Sequence, residues 1–553
     1  MNLVKRKATQ LPTAPVHDAG WRYAPHSIIF FSSACIMVVE LVAGRLTGRH
    51  LGTSLYTWTS IIGVVLAGMS VGNWLGGRMA DRFEPRRLLG WLFLASSITC
   101  VICLLLNKLM AEVGQSDAGA EAGMSYPVRV FISMAIIFLL PALALGMISP
   151  VTAKMALMRG LGVGRTIGSV YAWGAVGSIV GTFLTGYWLI AWLGSTGVVL
   201  AVAMALSVVG LVLGPARILL AVWLALLAGL MWLTRTQEGS WFGLACAMGL
   251  QDGYVDASGP SRGRYEPFVF ARDSHYQLVK IQAMASEWRP RGRELLLDTD
   301  RHSFVDLDDP SYLHYQYQQI YGYLIERLFV PRIPISAFFV GGGGYTLPRW
   351  VQHRYPGSTC EVAEIDPVVL DACHEALGLP RDTTIKSHLN DARVVVRQLP
   401  AGRKYDLIIG DAFNNELTIP WHLTTLEFHR DLKRRLKPDG FFLANVIDDY
   451  EKGGLLLGSY VRTLGKLFRR IHVFCTVPDG VTGGRDNFIV AATDREDAAL
   501  HERLAGLLPG NTDTLSGSRL SDDDLARVML KTDGRILTDD DAPVENLIAP
   551  VIR

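Results

Sequence analysis

The pattern of apolar and polar residues divides the chain into two halves. Long apolar runs dominate before about Leu233, and after about Ser261 the charge density is that of a soluble enzyme. Most of the apolar runs reach the ~20 residues that a helix needs to cross a bilayer. The predicted spans are Ile28–Leu46, Ser54–Gly77, Leu88–Met110, Val128–Val151, Thr166–Leu193, Val198–Leu213 and Ile218–Leu233. We therefore predict an N-terminal multi-span α-helical membrane domain.

Basic residues in the links between these spans predict an orientation. The link from Arg78 to Arg87 and the link after Val151 are rich in arginine and lysine, whereas the link 111–127 has no basic residue. Short basic links stay in the cytoplasm, so the N-terminus is predicted to be cytoplasmic. Residues 1–26 include Lys5, Arg6 and Lys7 and lack a signal-peptide cleavage pattern, which predicts a cytoplasmic tail.

The second half alternates between strand and helix patterns. Three β-rich stretches from Phe268 to Leu297 predict a small antiparallel sheet, and a helix is predicted over Tyr312–Leu328. Strands are then predicted over Ile335–Val340, in the stretch that ends in Glu364-Ile365-Asp366, and over Tyr405–Gly410, with helices between them. Alternation of this kind is typical of a doubly wound, Rossmann-like α/β domain.

A glycine run follows the first strand of that domain. Gly341, Gly342, Gly343 and Gly344 lead into a helix, and Glu364 stands about twenty residues later at the end of the next strand. Glycines in this place let backbone N–H groups approach a ligand, and the acid can hold ribose hydroxyls. Because strand ends meet at one sheet edge, we predict a nucleoside pocket there. The alternative is that the glycines serve only the turn.

Composition limits the other sites. The 553 residues exceed one ordinary domain, half of them are apolar, and the net charge is only +2. Cys100 and Cys103 form a Cys-x-x-Cys, and the other five cysteines show no spacing typical of a metal site or a disulfide framework, which predicts a reducing compartment. Cys100 and Cys103 lie among aliphatic residues within a span, where thiols act as small apolar groups.

Several motifs resemble those of the spermidine synthases, the polyamine aminopropyltransferases. The motifs are Gly341-Gly342-Gly343, Glu364-Ile365-Asp366, Asn390-Asp391-Ala392 and the strand Asp406–Asp411. Upstream, Ser274–Gln277 and Leu313–Tyr315 resemble the N-terminal β-region of that family and its substrate-facing histidine. The similarity covers about 264–495 and is greatest to the branch with a preceding membrane domain.

This resemblance implies an activity and roles for particular residues. The enzyme would transfer an aminopropyl group from decarboxylated S-adenosylmethionine to an amine such as putrescine and release methylthioadenosine, without a metal. Asp411 would accept the amine proton. The implied donor contacts are Gln277, Gly341, Gly342, Gly343, Glu364, Asp391 and Ala392, and the implied substrate contacts are His314, Asn414 and Pro420. The resemblance also implies a homodimer, and no nucleic-acid partner is predicted.

Purely structural roles are the alternatives for Asp411 and His314. Asp411 could simply cap the loop after its strand, since aspartate is common in turns. His314, without the resemblance, would be interpreted as an exposed helix histidine among tyrosines.

Two positions depart from the pattern of the resembling family. Gly344 and Asn414 stand where that family carries acids that neutralise the amines of donor and polyamine. A buried ammonium without a partner costs several kcal/mol, unless another acid such as Glu416 replaces them. An alternative activity is therefore transfer of a methyl or other alkyl group from S-adenosylmethionine to another amine or to a lipid acceptor.

A third hypothesis is a polyamine transporter or sensor with a non-catalytic nucleoside-binding domain. Glu40 lies within the first predicted span, where a charge is costly and is often functional. Glu40 would contact a cationic substrate there. The alternative is that Glu40 pairs with a neighbour and Arg45 snorkels to the membrane surface.

The predicted organisation has five segments and one conflict. The segments are a tail (1–26), a transmembrane domain (27–236), a linker (237–263), a catalytic domain (264–500) and a C-terminal cap (501–553). We expect a multi-pass inner-membrane protein. Its catalytic domain is expected in the cytoplasm, because the adenosyl donor is made there. Seven spans from a cytoplasmic N-terminus give the opposite side, unless one segment is re-entrant or Trp241–Leu250 forms an eighth crossing.

Overall fold

The structure is a computed structural model with a helical bundle and a larger α/β region. It describes residues 24–51, 55–115, 126–158, 163–214, 217–236, 239–255, 265–284, 289–414, 418–451, 453–476, 484–498, 504, 518–548 and 551. Most of the predicted tail, the links at Arg159 and at 116–125, residues 237–238 and 256–263 of the predicted linker, Glu416 and most of 499–517 lie outside the described residues.

The bundle is built from long apolar helices. Its helices are α1 Ala24–Leu51, α2 Leu55–Arg82, α3 Pro85–Gln115, α4 Tyr126–Gly146, α5 Ile148–Leu157, α6 Val163–Leu184, a π-helical turn Thr185–Leu189, α7 Ile190–Leu213, α8 Arg217–Leu233 and α9 Gly239–Ala247. Within the described residues, five helical runs are long and apolar enough to cross a membrane. These runs are Pro25–Arg49, Leu55–Arg82, Pro85–Ala111, Pro127–Leu157 and Val163–Leu213.

The last of these runs contains the fifth and sixth predicted spans. It has 51 residues, which at 1.5 Å per residue is roughly 77 Å, more than twice the ~30 Å of hydrocarbon. Gly194 breaks it, with φ 66° and ψ 166°. The run therefore has the length and the break that two crossings require. Helix α8 is shorter, and α9 has nine residues, about 14 Å, which is too short for the suggested eighth crossing.

Small residues bring the helices into close contact, as their spacing predicts. A Cβ on Gly72 would lie 2.3 Å from the carbonyl oxygen of Leu143, and one on Gly177 would lie 2.1 Å from that of Phe30. Helix α2 therefore packs directly on α4, and α6 packs directly on α1. This is the packing role expected of small residues on one stripe.

The two ends of the bundle differ in chemistry. The basic end is formed by the end of α2 and the start of α3, which together carry four arginines, by the end of α5 and by the start of α6. An ion pair of 2.8 Å between Asp81 and Lys154 brings two of these segments together. His26, near the start of α1, contacts Ser169 of α6 at 3.1 Å, so α1 begins at the same end.

The opposite end of the bundle joins the α/β region, and we call it the junction. The Arg49 guanidinium forms ion pairs with Asp252 at 2.9 Å and with Asp273 at 3.5 Å. Arg45 donates to the carbonyl oxygen of Ser274, and the backbone N–H of Ser195 donates to Asp273 at 3.2 Å. Asp273 is thus held both by α1 and by the break beside Gly194.

The α/β region contains three sheets. Its strands are β1 Tyr254–Val255, β2 Tyr265–Glu266, β3 Phe270–Asp273, β4 Leu278–Ala283, β5 Gly292–Leu297, β6 Asp300–Asp306, β7 Ser336–Val340, β8 Thr359–Glu364, β9 Lys386–Leu389, β10 Tyr405–Gly410, β11 Leu436–Asp449, β12 Arg470–Cys475, β13 Arg485–Thr493 and β14 Ser518–Arg519. Strands β1 and β2 pair with each other, and β3 to β6 form a four-stranded antiparallel sheet.

The largest sheet has eight strands in the order β14-β12-β13-β11-β10-β7-β8-β9. Strands β7 to β11 are parallel, and β12 to β14 add an antiparallel edge. The strand order reverses between β7 and β10, whose last residues, Val340 and Gly410, pair in register. Open sheets of this type bind ligands at the carboxyl ends of the strands at that reversal. The predicted Rossmann-like fold with a small β-region is confirmed.

Helices cover both faces of the large sheet. They are α10 Gln316–Leu328, α11 Thr346–Arg354, α12 Pro367–Ala376, α13 Ala392–Gln398, a 3₁₀ turn Trp421–Leu423, α14 Leu426–Arg435, α15 Leu455–Leu464, α16 Asp522–Leu530 and α17 Val544–Ile548. Buried apolar residues form one cluster on each face of the sheet.

Strand β11 begins before a proline-glycine turn sequence. It starts at Leu436, although Pro438, Asp439 and Gly440 are residues typical of turns. The β10–β11 register shifts between Tyr405 and Leu407. An irregularity of this kind accommodates a proline near the start of a strand.

The predicted segment boundaries stay predictions. The segment predicted as a linker includes α9 and β1 among its described residues.

Candidate functional site

The glycine turn after β7 is shaped by close backbone contacts. Gly341 has φ 97° and Gly343 has φ 48°, a region that disfavours other residues. A Cβ on Gly341 would lie 2.5 Å from the carbonyl oxygen of Asp411. The turn is therefore pressed against the chain that leaves β10, and only glycine fits there.

Glu364 is hydrogen-bonded to the glycine turn. Its carboxylate accepts hydrogen bonds from the backbone N–H groups of Gly342 and Asp366, both at 2.9 Å. Burial raises the pKa of this carboxyl, while the backbone N–H donors lower it. Glu364 thus stands beside the glycine run, at the place where the sequence predicts the ribose of the nucleoside.

Asp411 follows β10 and faces the turn. Its backbone N–H donates to the carbonyl oxygen of Val340 at 3.0 Å, and one carboxylate oxygen accepts from Asn445 Nδ2 at 3.2 Å. Removal from water raises the pKa of Asp411 to about 7, and the Asn445 hydrogen bond opposes that shift. A carboxyl group with this pKa can accept a proton near neutral pH.

A cavity of about 330 Å³ lies in front of Asp411 and the glycine turn. It is lined by Arg301, His302, Ser303, Tyr315, Tyr317, Gln318, Phe339, Gly341, Gly342, Gly343, Thr346, Leu347, Pro348, Ile409, Asp411, Phe413, Asn445, Ile447, Arg485, Asp486 and Asn487. The predicted catalytic aspartate and three predicted donor-binding glycines therefore share one cavity.

Three buried polar atoms in this cavity wall lack a hydrogen-bond partner among the described residues. They are His302 Nε2, Gln318 Oε1 and Asn445 Oδ1. Buried polar atoms in proteins are nearly always paired, so unpaired ones facing a cavity indicate a polar ligand. Burial lowers the pKa of His302 to about 4, so this imidazole is neutral near pH 7.

Ser303 occupies the space beside Gly344. The Gly344 N–H donates to Ser303 Oγ at 2.9 Å, and a Cβ on Gly344 would lie 2.8 Å from the Ser303 Cβ. An aspartate at position 344 would require β6 to shift.

The loop before β4 is held by hydrogen bonds to Ser274. Ser274 Oγ donates to Asp366 at 2.5 Å and accepts from the backbone N–H groups of Tyr276 and Gln277, each at 3.0 Å. Asp366 also caps α12 through the N–H of Val368 at 2.9 Å. Gln277 is held in this loop but does not line the cavity.

Asp391 is placed at a helix start. It accepts from the N–H groups of Arg393 and Val394 at 2.9 and 3.2 Å and contacts His422 Nε2 at 2.8 Å. Ala392 follows it as the first, buried residue of α13. Neither residue lines the cavity, so their roles at the adenine stay predictions.

The three predicted substrate contacts are not brought into the cavity. His314 stacks on Phe304 with ring centroids 4.3 Å apart. Asn414 is exposed and donates its backbone N–H to Thr418, and Pro420 precedes the 3₁₀ turn. Tyr317 and Gln318, one helical turn after His314, reach the cavity instead.

The sequence interpretation missed Gln318 and Asn445. A usable signal existed for Asn445, because it is the one polar residue within the apolar run Phe441–Ile447 of β11. Gln318 gave no comparable signal, since α10 carries three glutamines.

No group of three or more histidine, cysteine, aspartate or glutamate side chains is placed to hold a metal ion in the part of the chain that the structure describes.

Comparison with known proteins gives partial matches to two groups of transferases. No family model matches the chain. A polyamine aminopropyltransferase from Vibrio vulnificus (strain CMCP6) is 33% identical over 148 residues, which are 27% of this chain and 49% of that protein. A human eEF1A lysine and N-terminal methyltransferase is 28% identical over 124 residues, 21% of this chain and 18% of that protein. The chain thus spans about half or less of the curated relatives that it matches.

Solved structures give a similar result. A probable spermidine synthase from Corynebacterium glutamicum ATCC 13032 aligns with 49% of this chain and 97% of its own, at 21% identity and a TM-score of 0.42.

Proposed function

We propose that this chain, whose C-terminal α/β region belongs to the polyamine aminopropyltransferase family, is a membrane-bound transferase. It moves an aminopropyl group from decarboxylated S-adenosylmethionine to an amine such as putrescine and releases methylthioadenosine. The observation that carries this proposal is the position of Asp411. Its carboxyl group, with a pKa of about 7, faces the glycine turn across one cavity.

The proposed step is a direct displacement. The amine nitrogen attacks the propyl carbon bonded to sulfur, so that a C–N bond forms and the C–S bond breaks. The sulfonium takes the electron pair and leaves as a neutral thioether. Asp411 accepts the proton from the amine nitrogen, and the cavity holds the two reactants in line.

The donor would lie against the glycine turn. The backbone of Gly341, Gly342 and Gly343 would contact it, with Glu364 at the ribose and Asp391 with Ala392 nearer the adenine. The loop Ser274–Gln277 would close over the nucleoside. These assignments rest on the sheet edge at which the residues lie.

A donor-by-acceptor assay on the purified full chain tests the proposal. With decarboxylated S-adenosylmethionine and an amine, mass spectrometry should detect methylthioadenosine and an aminopropylated amine. Asp411→Asn should lower the rate by 10²- to 10⁴-fold, the usual contribution of a positioned base. Nucleoside binding, measured by calorimetry, should survive this substitution. A rate that Asn leaves unchanged would exclude Asp411 as the base.

A second candidate is transfer of a methyl group from S-adenosylmethionine itself. The contact between Ser303 and Gly344 favours it, because the acid expected to bind the aminopropyl amine has no space there. Calorimetry with both donors on the same preparation separates the two activities. Tighter binding of S-adenosylmethionine, with adenosylhomocysteine as product, would replace the first proposal.

We further propose that the apolar helices embed the protein in a membrane as a multi-pass protein. The five long apolar runs support this proposal. Membrane fractionation with an alkaline carbonate wash tests it, since an integral protein stays in the pellet. The homodimer stays a prediction from the resemblance.

A further inference from the structure

A bulge in strand β6 places a histidine in the cavity wall. Arg301, His302 and Ser303 are consecutive, and all three line the cavity, although neighbouring side chains in a regular strand point to opposite faces. Ser303 pairs with Leu295 of β5, and Arg301 pairs with the next residue of β5. His302 lies between these two pairs and is the extra residue of the bulge. Bulges of this kind redirect a side chain and are common beside active sites.

The tail of the donor offers a partner for this histidine. Resting on the proposed function, we propose that His302 binds the amino group on the alkyl tail of the donor. This amino group lies three carbons from the sulfonium sulfur both in decarboxylated S-adenosylmethionine and in S-adenosylmethionine. The same contact can therefore form with either donor.

The Nε2 atom of His302 is an unused hydrogen-bonding group. It is buried and has no partner among the described residues, and buried polar atoms are nearly always paired. Removal from water lowers the pKa of His302 to about 4, so the imidazole is neutral near pH 7. A neutral imidazole accepts a hydrogen bond at Nε2 when its proton is on Nδ1, and an amino group supplies the N–H donor.

The cavity holds the reacting groups of the substrates. Asp411, the proposed base, lines it. Glu364 and Asp391, which are proposed for the ribose and the adenine, are not among the described residues that line it. A polar atom that faces this cavity therefore meets either the tail of the donor or the acceptor amine.

The contacts of β6 place His302 on the donor side of the cavity. The hydroxyl of its neighbour Ser303 accepts from the backbone N–H of Gly344 at 2.9 Å. A Cβ on Gly343 would lie 2.9 Å from the same oxygen. Strand β6 is thus in direct contact with the end of the glycine turn, against which the donor would lie. For this reason we assign His302 to the tail amine and not to the acceptor.

A second unused acceptor lies close to His302. The Tyr317 hydroxyl donates to the carbonyl oxygen of His302 at 3.3 Å and accepts from Gln318 Nε2 at 3.2 Å. The Oε1 atom of Gln318 is buried and has no partner within the described part of the chain. An ammonium group has three N–H donors, so it can use His302 Nε2 and Gln318 Oε1 together.

A matched pair of nucleosides tests the contact. Decarboxylated S-adenosylmethionine carries the tail amine, whereas 5′-deoxy-5′-(dimethylsulfonio)adenosine keeps the adenosine and the sulfonium and has no amine. Calorimetry on the purified full chain measures both Kd values. His302→Leu should raise the Kd of the amine-bearing ligand about tenfold, as expected for one lost hydrogen bond to a charged group. The Kd of the second ligand should stay within twofold.

Two further variants make the result specific. His302→Gln keeps an acceptor atom and should recover part of the affinity for the amine-bearing ligand. His353→Leu, at an exposed histidine near the end of α11, is the matched control and should change neither Kd. Equal losses for both ligands in His302→Leu would show that the residue supports the nucleoside or the fold, and would overturn the proposal.

Failure of this proposal and failure of the proposed function give different results. An unchanged donor Kd in His302→Leu, with a raised KM for the amine acceptor, would leave the transferase standing and overturn the tail contact. If no acceptor is alkylated, the proposed function fails, and a selective loss of the amine-bearing ligand still supports the tail contact. If the wild-type chain binds neither nucleoside, both proposals are overturned.

Discussion

Asp411 has two properties that bear on proton transfer, a hydrogen bond to its carboxylate and a raised pKa. It follows a buried strand within hydrogen-bond reach of Asn445, and removal from water raises its pKa to about 7. The raised pKa means that the protonated form is favoured below neutrality. A base must be deprotonated to accept a proton, so the direction of the pH dependence follows from this single shift.

The rate should therefore rise with pH. We expect kcat/KM to increase about tenfold per pH unit below 7 and this limb to level off near the pKa of Asp411. A pH series at fixed ionic strength measures it. Asp411→Asn should abolish this limb. A limb that persists in the variant would assign the titration to another group.

Gly341 gives a second prediction at the scale of one residue. Its φ of 97° and the 2.5 Å approach to Asp411 leave no space for a methyl group. Gly341→Ala should cost roughly 1–3 kcal/mol of stability and weaken nucleoside binding, as measured by thermal unfolding and calorimetry. Gly402→Ala is the control, because a Cβ there meets no atom within 4 Å. Equal effects of the two substitutions would refute the steric argument.

At the scale of elements, the loop before β4 links the bundle to the donor site. Arg45 and Arg49 of α1 hold Asp273 and Ser274 from one side. The Ser274 hydroxyl in turn donates a hydrogen bond to Asp366, which lies just after the end of β8. Helix α1 is therefore connected by direct contacts to the segment that would close over the nucleoside.

Arg45→Ala should weaken nucleoside binding. Loss of the Ser274 contact frees the loop, and we expect the Kd for methylthioadenosine to rise about tenfold, or ~1.4 kcal/mol. Calorimetry on the full chain measures the change, and Arg45→Lys should restore part of the affinity. Arg82→Ala, at the basic end, is the control. An unchanged Kd in Arg45→Ala would show that the junction serves attachment only.

The elements differ in how well the sequence predicted them. Strand β10 has the predicted bounds, because its apolar run and the residues around it mark both ends. The cavity wall was predicted less well. His314 and Gln318 lie one turn apart on either side of the start of α10, and helical periodicity alone does not say which faces the sheet. Asn445 reaches Asp411 because β11 lies next to β10 in the sheet, a pairing that the sequence of β11 alone does not give.

At the scale of the whole molecule, the two ends of the bundle differ in chemistry. The basic end carries the arginine-rich links, and the junction carries the α/β region. Helix α1 runs from the basic end to the junction, and the chain alternates between the ends until α8 leads to the junction. The α/β region thus lies on the side opposite the basic links.

This arrangement predicts a membrane orientation. Basic links stay in the cytoplasm, so we expect the α/β region on the other face, contrary to the expectation from the place where the donor is made. The seven cysteines are all buried and favour neither side. Alkaline phosphatase and fluorescent-protein fusions after Arg553, with a fusion in the link after Leu157 as the control, measure the side. A fluorescent Arg553 fusion without phosphatase activity would restore the cytoplasmic assignment.

Asp273 is contacted by Arg45, by Arg49 and by the backbone N–H of Ser195. These contacts have a practical consequence for purification. The three contacts come from two separate segments of the bundle, α1 and the break beside Gly194. A detergent that separates those two segments would loosen the loop Ser274–Gln277 without unfolding the bundle or the α/β region. Catalytic efficiency would then vary with the solubilising agent, and nanodiscs would give the faster enzyme.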